Sequence, residues 1–264
     1  MKQFDNTPLT GANNLQAGQI EIKIYPDKDY KVKFYATAKK ITIDWGDGVV
    51  ENFTPNGIRE SFPHQYPPIP IFETIKVNAE GLTYFGSSSF VSDESKSKVF
   101  FHEIKFGSCP DLKEISCTLQ NELTVLDVDN CAALAELDCS LNKKLNSLNL
   151  SKCITLINLN CSGNQLPLLD VSSCVNLIYL NCGFNELTEL DVSKCSSLIE
   201  LDCSHNQLSV SVLNALFNSL PTRKPDDNAQ INCAGNLGDD AISYFAGYAT
   251  YNKSIAIKKG WTVK

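Results

Sequence analysis

The apolar positions between about Phe101 and Leu208 follow a pattern that recurs along the chain. The unit Leu-x-x-Leu-x-Cys-x-x-Asn starts at positions 134, 156, 177 and 198, which are 22 or 21 residues apart. Within it the second leucine and the cysteine are two residues apart, so both lie on one face of an extended strand. The pattern therefore predicts stacked turns, each with a short strand whose leucine and cysteine point inward and whose flanking residues point outward.

A second half-unit lies between these strands and has the form Leu-x-x-Leu-x-Val-x-x-Cys in most turns. It starts at Leu123, Leu145, Leu166 and Leu187, so we expect a second short strand in every turn. One turn alone cannot bury its leucines, whereas stacked turns can. The asparagine that follows each Cys-bearing strand has two donors and one acceptor, which can satisfy backbone groups where the chain bends.

Ten of the eleven cysteines follow the same period. Five end the Cys-bearing strands, at positions 117, 139, 161, 182 and 203, and five belong to the second half-unit, at positions 109, 131, 153, 174 and 195. The chain has no Cys-x-x-Cys pair and only 3 histidines, which disfavours a zinc site. Stacked turns hold neighbouring cysteines with parallel Cβ directions, which suit a disulfide poorly, so we expect buried free thiols.

The full repeat, as in residues 177–192, closely resembles the nested leucine-rich repeats of bacterial proteins. That resemblance implies a leucine-rich-repeat solenoid in an exported surface protein that binds a host or microbial protein, or a glycan. A right-handed parallel β-helix is the alternative fold, because its turns have this length and carry asparagine ladders. The spacing of leucine, cysteine and asparagine favours the leucine-rich form.

Residues from about Ile20 to Val77 instead alternate between apolar and polar positions. Alternating strands joined by tight turns predict an antiparallel β-sandwich. The stretch from Ile43 to Gly48, with His64-x-Tyr66 further on, resembles the polycystin-type (PKD) immunoglobulin-like domain. Its spacing is shorter than in that family, and the residues from Pro67 to Pro70 stand in place of the usual glycine turn.

The repeat stops after Leu208, and the remaining residues predict a cap. Apolar residues at helical spacing between Val212 and Leu220 predict a helix that the following proline ends. Further helices are expected from Gly238 to Tyr248 and from Asn252 to Lys259, followed by a short strand after Trp261. This ending resembles the C-terminal cap of secreted bacterial leucine-rich-repeat proteins, which covers the last open turn.

The expected organisation is mostly β and has three parts. Residues 1–80 form a PKD/immunoglobulin-like β-sandwich, residues 81–208 a leucine-rich-repeat solenoid, and residues 209–264 its helical C-terminal cap. Divergent half-units are indicated at Phe72 and Phe101. The polar, serine-rich stretch from Gly86 to Lys98 is expected to be an exposed insertion between them.

The acidic composition disfavours some partners and compartments. The 264 residues carry a formal net charge of −7, whereas nucleic acids and anionic membrane surfaces require a basic face. No apolar stretch is long enough to span a bilayer, so we expect no membrane insertion. The first twenty residues hold no apolar signal core, so either the protein is not exported or its signal lies outside this sequence. The resemblance implies export, to the cell surface or the medium.

No enzyme motif of the Gly-x-Ser-x-Gly, His-Glu-x-x-His or phosphate-loop type occurs in the sequence. We therefore expect no catalytic residue, no cofactor and no metal. Asp44 and Asp47 offer too few oxygen ligands for calcium, and Asp47 is expected to support its turn.

Two alternatives to a binding protein stay open. One is a glycan-active enzyme that uses stacked aspartates, since paired carboxylates about 5–9 Å apart hydrolyse glycosides. The other is a passive surface spacer.

The outward positions of the Cys-bearing strands are the candidate ligand-binding residues of a monomeric binding protein. Small and polar residues dominate them, with one aromatic residue, Tyr179, near the middle. Tyrosine offers a flat apolar face at low entropic cost, which suits a sugar ring or a protein contact. The candidate residues are Glu136, Asp138, Asn158, Asn160, Tyr179, Asn181, Glu200 and Asp202. A further outward column is expected at Thr118, Ser140, Ser162, Gly183 and Ser204.

Overall fold

The structure is a computed structural model that describes residues 15–25, 31–66, 73–88, 100–237 and 251–264. The chain is mostly β, as the sequence predicts. The strands in these residues are β1 (Gln19–Tyr25), β2 (Lys31–Thr37), β3 (Lys40–Asp44), β4 (Val50–Phe53), β5 (Glu60–Gln65), β6 (Glu73–Glu80), β7 (Tyr84–Ser88), β8 (Phe100–Phe106), β9 (Glu114–Thr118), β10 (Val125–Asp127), β11 (Glu136–Asp138), β12 (Asn158–Asn160), β13 (Tyr179–Asn181), β14 (Glu200–Asp202), β15 (Gln230–Asn232) and β16 (Thr262–Val263). The helices are α1 (Val210–Ser219) and α2 (Ser254–Lys258).

The N-terminal strands form two antiparallel layers around an aromatic core. In one layer β1 pairs with both β6 and β8, so that Ile22 lies opposite Ile75 and Ile104. In the other layer β2 pairs with β5 and β7. Alternate residues of these strands are buried, as the apolar and polar alternation predicts. Between the layers Phe34 contacts three rings at centroid distances of 5.5–5.8 Å, those of Trp45, Phe62 and Phe85.

The turn after β3 is fastened to the rest of this region by hydrogen bonds. The fully buried Trp45 accepts a hydrogen bond from the Tyr66 hydroxyl at its carbonyl oxygen, at 2.7 Å. The His64 ring stacks on Trp45 and its Nε2 lies 2.9 Å from Oδ2 of Asp47. Asp47 also accepts the Val49 N–H at 3.1 Å. Burial tends to raise the pKa of Asp47, but the hydrogen bonds from His64 and Val49 outweigh it and lower that pKa.

The repeats form a ladder of parallel strands that we call the repeat ladder: β9, β11, β12, β13, β14 and β15. Equivalent residues of successive turns lie side by side, so that Leu159 is paired with Leu137 on one side and Leu180 on the other. These leucines and the cysteines two residues later are buried, as the sequence predicts. Stacked parallel strands with inward leucines are a leucine-rich-repeat-like arrangement.

A ladder of asparagine side chains follows the strands. Asn164 donates from Nδ2 to the carbonyl oxygens of Cys161 in its own turn and Cys139 in the preceding turn, at 2.8 and 3.0 Å. Its Oδ1 accepts the N–H of Asn142 at 2.9 Å. Asn142, Asn185, Asn206 and Asn236 bond in the same way to the strand ends of two turns. The expected use of asparagine, to satisfy backbone groups at the bend, is therefore observed.

The expectation of two strands in every turn is wrong for the described residues. Among the second half-units only the first contains a strand, β10, which pairs in parallel with β8. There the neighbour is a seven-residue strand that presents a regular edge. Between later turns a backbone hydrogen bond joins the half-units at their start, for example from the Gln165 N–H to the Leu145 carbonyl oxygen at 3.0 Å. One such bond per turn holds the stack without making an extended ladder.

Both sheets run from the antiparallel strands into the repeats. β7 pairs antiparallel with β2 on one side and parallel with β9 on the other. In the second sheet β8 pairs antiparallel with β1 and parallel with β10. The buried side chains of the antiparallel strands and of the repeats belong to one hydrophobic cluster. The repeat ladder is thus built directly onto the edges of the N-terminal layers.

The C-terminal residues close the far end of the ladder. Helix α1 begins after Ser209, whose Oγ accepts the Val212 N–H, and it ends at Ser219 before the proline, as predicted. β15 pairs with β14, and the short strand β16 pairs with β15 as the last rung. The indole of the buried Trp261 donates to the Pro221 carbonyl oxygen at 2.7 Å. These contacts cover the last leucine-bearing turn.

Several predicted features lie wholly or partly outside the described residues. They are the helix expected from Gly238 to Tyr248, the half-unit at Phe72, the segment from Pro67 to Pro70 and the serine-rich insertion beyond Ser88. The helix expected from Asn252 to Lys259 is present as the shorter helix α2.

Candidate functional site

The outward positions of the Cys-bearing strands form one surface, which we call the strand face. Each strand alternates an outward, an inward and an outward residue around its leucine or isoleucine. Because the strands pair in register, the outward residues of successive turns stand in two columns. The first is Glu114, Glu136, Asn158, Tyr179 and Glu200, and the second is Ser116, Asp138, Asn160, Asn181 and Asp202. All eight candidate residues therefore lie on one face.

Hydrogen bonds within each turn fix the second column. Oδ1 of Asp138 accepts both the N–H and the Oγ hydrogen of Ser140, at 3.0 and 2.7 Å. Asn160 and Asp202 make the same pair of contacts with the serine two residues on. Asn181 accepts the N–H of Gly183 at 3.1 Å. These side chains are therefore held in fixed positions on the surface.

The same hydrogen bonds correct the expected third outward column. Ser140 and Ser204 are only 6% and 3% exposed, and Gly183 is also buried. The serine hydroxyls turn back onto the aspartates of the second column instead of facing solvent. At these three positions the third column supports the strand face and offers little surface, whereas Thr118 and Ser162 are half-buried.

The centre of the strand face is an open depression of about 500 Å³. Its lining includes Glu114, Glu136, Asp138, Asn158 and Tyr179. Partial burial raises the pKa of the Tyr179 hydroxyl, and a hydrogen bond with Asn181 partly offsets that effect. A tyrosine ring beside carboxylate and amide groups gives the depression one apolar wall and several polar ones.

The charge of the strand face is acidic. The strand positions from 136 to 202 in this surface carry four carboxylates and no lysine or arginine: Glu136, Asp138, Glu200 and Asp202. At the N-terminal end Arg59 reaches Glu114 at 2.9 Å and covers the ring of Tyr84. That arginine neutralises the carboxylate nearest the antiparallel strands and leaves the charge of the middle turns unchanged.

The carboxylates of the strand face are unevenly spaced. In the second column Asn160 and Asn181 lie between Asp138 and Asp202. These two aspartates are therefore separated by three strand-to-strand steps. At about 4.8 Å a rung the separation is about 14 Å, beyond the roughly 5–9.5 Å that glycosidases use. In the second half-units hydrogen bonds from Ser172 lower the pKa of Asp170, whereas burial and the charge of Asp127 raise that of Asp129. Within one strand Glu136 and Asp138 are two residues apart, about 6.6 Å, and this spacing falls inside the glycosidase range. The observation against catalysis is that these two residues line an open surface and not an enclosed pocket.

The cysteines lie behind this face as free, buried thiols. Burial raises the pKa of Cys153 to about 11 and that of Cys161 to about 12. Few of them ionise at neutral pH, and the thiolate is the nucleophile and the metal ligand. Among the described residues no group of three or more His, Cys, Asp or Glu side chains is placed to hold a metal ion. The arrangement points to cysteine as a small apolar side chain of the core.

Sequence reasoning missed one position in every turn, the residue directly before the asparagine of the ladder, or before Gln120 in the first turn. The backbone there is left-handed in all six turns, at Leu119, Leu141, Gly163, Phe184, His205 and Gly235. Two of these six are glycines, which was the signal available in the sequence. His205 is exposed and stacks on Phe184 with ring centroids 4.2 Å apart. Within the described residues no helix is both long and apolar enough to cross a membrane.

Comparison with known proteins gives no family for the chain. No protein-family model matches it, and neither does any curated protein. Among solved structures it is similar to the functional domain of InlJ from Listeria monocytogenes, which includes a cysteine ladder, at 26% identity and a TM-score of 0.46. The likeness covers 61% of this chain and 38% of that one. At that TM-score it decides neither fold nor function, and both rest on the register, burial and hydrogen bonds described above.

Proposed function

We propose that this chain is a non-enzymatic recognition or adhesion protein that acts outside the cell, secreted or at the cell surface. It binds a protein or glycan ligand through the strand face of a leucine-rich-repeat solenoid. The observation that carries this proposal is the in-register strand face, whose second column is held by turn hydrogen bonds. A prebuilt open surface suits recognition, whereas an enzyme needs a pocket that shifts pKa values.

The three-part organisation is proposed with it. The PKD-like assignment of residues 1–80 is supported by the buried Trp45, by the stacked His64 and by the hydrogen bond of Tyr66. The cap assignment of residues 209–264 is supported by β16, which adds the last rung, and by Trp261 beside it. In this proposal the N-terminal layers and the cap protect the two ends of a monomeric solenoid.

The test is a binding screen of the full chain against glycan arrays and extracellular-matrix proteins. Tyr179→Ala is the site variant, and Leu168→Ala is the control, since Leu168 is 61% exposed and lies in a second half-unit. A second site variant at position 181 is Asn181→Asp. It is used in place of Asn181→Ala, because alanine would remove the oxygen that accepts the Gly183 N–H. We expect Tyr179→Ala to weaken binding about tenfold or more, with an almost unchanged melting temperature.

Three outcomes would contradict the proposal. Binding that survives both Tyr179→Ala and Glu200→Gln would move the site away from the strand face. Hydrolysis of an arrayed glycan would favour the enzyme alternative. No binding across the whole screen would favour the passive spacer.

A further inference from the structure

The left-handed position in each turn is imposed by the repeat ladder. The N–H of Leu141 donates to the Ser162 carbonyl oxygen at 2.8 Å, and the N–H of Phe184 donates to that of Ser204 at 2.9 Å. The next residue in both turns is an asparagine of the buried ladder. These bonds continue the register past the strand end, so the backbone takes this shape whatever the side chain is.

Large side chains at this position oppose folding. The φ angles of Leu141, Phe184 and His205 are +60°, +55° and +51°. A residue with a Cβ loses about 1–2 kcal/mol in this region relative to glycine, and leucine and phenylalanine are rare in it. Glycine occupies the position at Gly163 and Gly235, so the fold accepts it there. Leu141, Phe184 and His205 thus occupy a backbone conformation that costs free energy for any residue except glycine. Their presence there points to a role outside folding.

These side chains form an exposed ridge along one border of the strand face, which we call the αL ridge: Leu141, Phe184 and His205. Leu141 and Phe184 are 47% and 59% exposed, and the rings of Phe184 and His205 are stacked within 17° of parallel. A Cβ on Gly163 would lie 2.7 Å from Leu141 Cδ2, and one on Gly235 would lie 2.5 Å from His205 Nδ1. Leu141 and His205 therefore lean over the glycines of the next turns, and these glycines leave them the room.

The αL ridge borders the acidic columns. Asp138 and Asp202 precede Leu141 and His205 by three residues in the same turns. An apolar edge thus runs beside a surface whose middle turns carry four carboxylates and no cation. A complementary partner presents positive charge opposite the columns and an apolar anchor opposite the ridge. A polypeptide rich in lysine or arginine with an aromatic residue meets both requirements, whereas a neutral or anionic glycan meets only the second.

We infer that the strand face and the αL ridge together bind a cationic polypeptide segment. Its lysine or arginine side chains pair with Glu136, Asp138, Glu200 and Asp202, and an aromatic or aliphatic side chain packs on Phe184 and His205. This inference rests on the proposed function and names the class of its ligand.

The test uses the full chain and three synthetic peptides of equal length, labelled with fluorescein and followed by anisotropy. One alternates lysine with tryptophan, one alternates lysine with serine, and one alternates glutamate with tryptophan. The lysine–tryptophan peptide binds most tightly, with the other two weaker by about tenfold or more. High salt weakens its binding, because the ion pairs lie at an open surface.

The variant Phe184→Gly separates recognition from packing. It removes the ring and relieves the left-handed strain, so we expect about a tenfold loss of binding with an equal or higher denaturation midpoint. Phe184→Trp is the matched control that keeps an aromatic anchor, and it retains binding. A Phe184→Gly variant that is less stable but binds normally would show that the ring only packs on His205, and would overturn the role of the ridge.

The outcomes also separate this inference from the proposed function. If the glutamate–tryptophan peptide binds as well as the lysine–tryptophan peptide, charge complementarity is wrong. If no peptide binds but a glycan or matrix protein binds in a Tyr179-dependent manner, the cationic segment is wrong and the recognition function stands. If neither the peptides nor the screen gives binding, both fail.

Discussion

The antiparallel strands and the repeat ladder bury their cores in opposite ways. In the N-terminal region Ile22 of β1 lies between Ile75 and Ile104, residues far away along the chain. Its core depends on large rings such as Phe34 and Trp45, each packed in its own way. In the repeat ladder the strands pair with strands one turn away, and the four turns from β11 to β14 bury the same leucine, cysteine and asparagine.

The difference shows where surface chemistry can vary. Because each turn is held by its inward leucine, its cysteine and its asparagine, the outward residues change from turn to turn without altering the register. The first column holds glutamate, asparagine and tyrosine on the same backbone. A repeated core thus leaves one continuous face free to vary, whereas the antiparallel region has no such row of equivalent positions.

Removing a core leucine of the ladder should have the largest effect. Leu180→Ala opens a cavity in a fully buried position between two paired turns, so we expect a loss of about 2–5 kcal/mol in the free energy of unfolding. Leu168→Ala is the matched control, since that leucine is 61% exposed and should change stability by about 0.5 kcal/mol or less. Chemical denaturation of both variants checks this. Equal midpoints would mean that the strand phase is wrong.

The asparagine ladder should contribute nearly as much. Asn164→Ala leaves the Cys139 and Cys161 carbonyl oxygens and the Asn142 N–H without this partner inside the core. The two carbonyl oxygens keep a second donor, Asn142 Nδ2 for Cys139 and Asn185 Nδ2 for Cys161, so the Asn142 N–H is the group left unpaired. At about 1–3 kcal/mol for such a buried group, we expect a loss of about 2 kcal/mol. Asn158→Ala, on the strand face, is the control and should lie near wild type in the same denaturation experiment. A small effect at Asn164 would show that water replaces its contacts.

The buried cysteines should lower the free energy of unfolding at alkaline pH. All of them lie between positions 109 and 233, in the repeats and their last turn. Burial raises the pKa of Cys153 to about 11 and of Cys161 to about 12, from an ordinary value near 9.0. Above that ordinary value the unfolded chain loses thiol protons that the folded chain keeps. The contribution of these thiols to the free energy of unfolding is therefore constant below about pH 9 and falls as the pH rises towards 11 and 12.

Denaturation curves between neutral pH and pH 11 measure this slope. The triple variant with alanine at Cys139, Cys161 and Cys182 should show a shallower fall than the wild-type protein. An unchanged slope would assign the alkaline loss to other groups.

A single hydrogen bond in the antiparallel region should have the smallest effect. Tyr66→Phe removes the donor to the Trp45 carbonyl oxygen in a buried setting, so we expect a loss of about 1 kcal/mol. Tyr35→Phe in β2, where the tyrosine is only partly buried, is the control. Thermal melting of the two variants makes the comparison. A loss as large as that of Leu180→Ala would mean that the turn after β3, and not the ladder, limits stability.

The sequence predicted the ladder well, because its contacts repeat at the period that the sequence itself shows. The inward positions of Leu159 and Cys161 and the role of Asn164 follow from two-residue alternation and from donor counting. Other features could not be predicted from the sequence. The left-handed backbone at Leu141 and Phe184 contradicts the preferences of those residues, so only the register of the ladder reveals it.

The antiparallel region was predictable only as alternating strands. That β1 pairs with both β6 and β8 depends on contacts between distant residues, which alternation does not encode. The continuation of both sheets into the repeats was hidden for the same reason. For the candidate site, the sequence placed eight residues on one face, but not the inward turn of Ser140 and Ser204 or the αL ridge.

A prebuilt recognition face requires that its turns do not open one by one, and native-state hydrogen exchange measures this directly. The N–H groups of Cys139, Cys161 and Cys182 donate to carbonyl oxygens of the next turn at 2.9, 2.9 and 2.8 Å. We predict that these three amides exchange only through global unfolding, with the free energy that denaturation gives. Faster exchange that differs from turn to turn would contradict a rigid strand face, and with it the binding surface proposed for this protein.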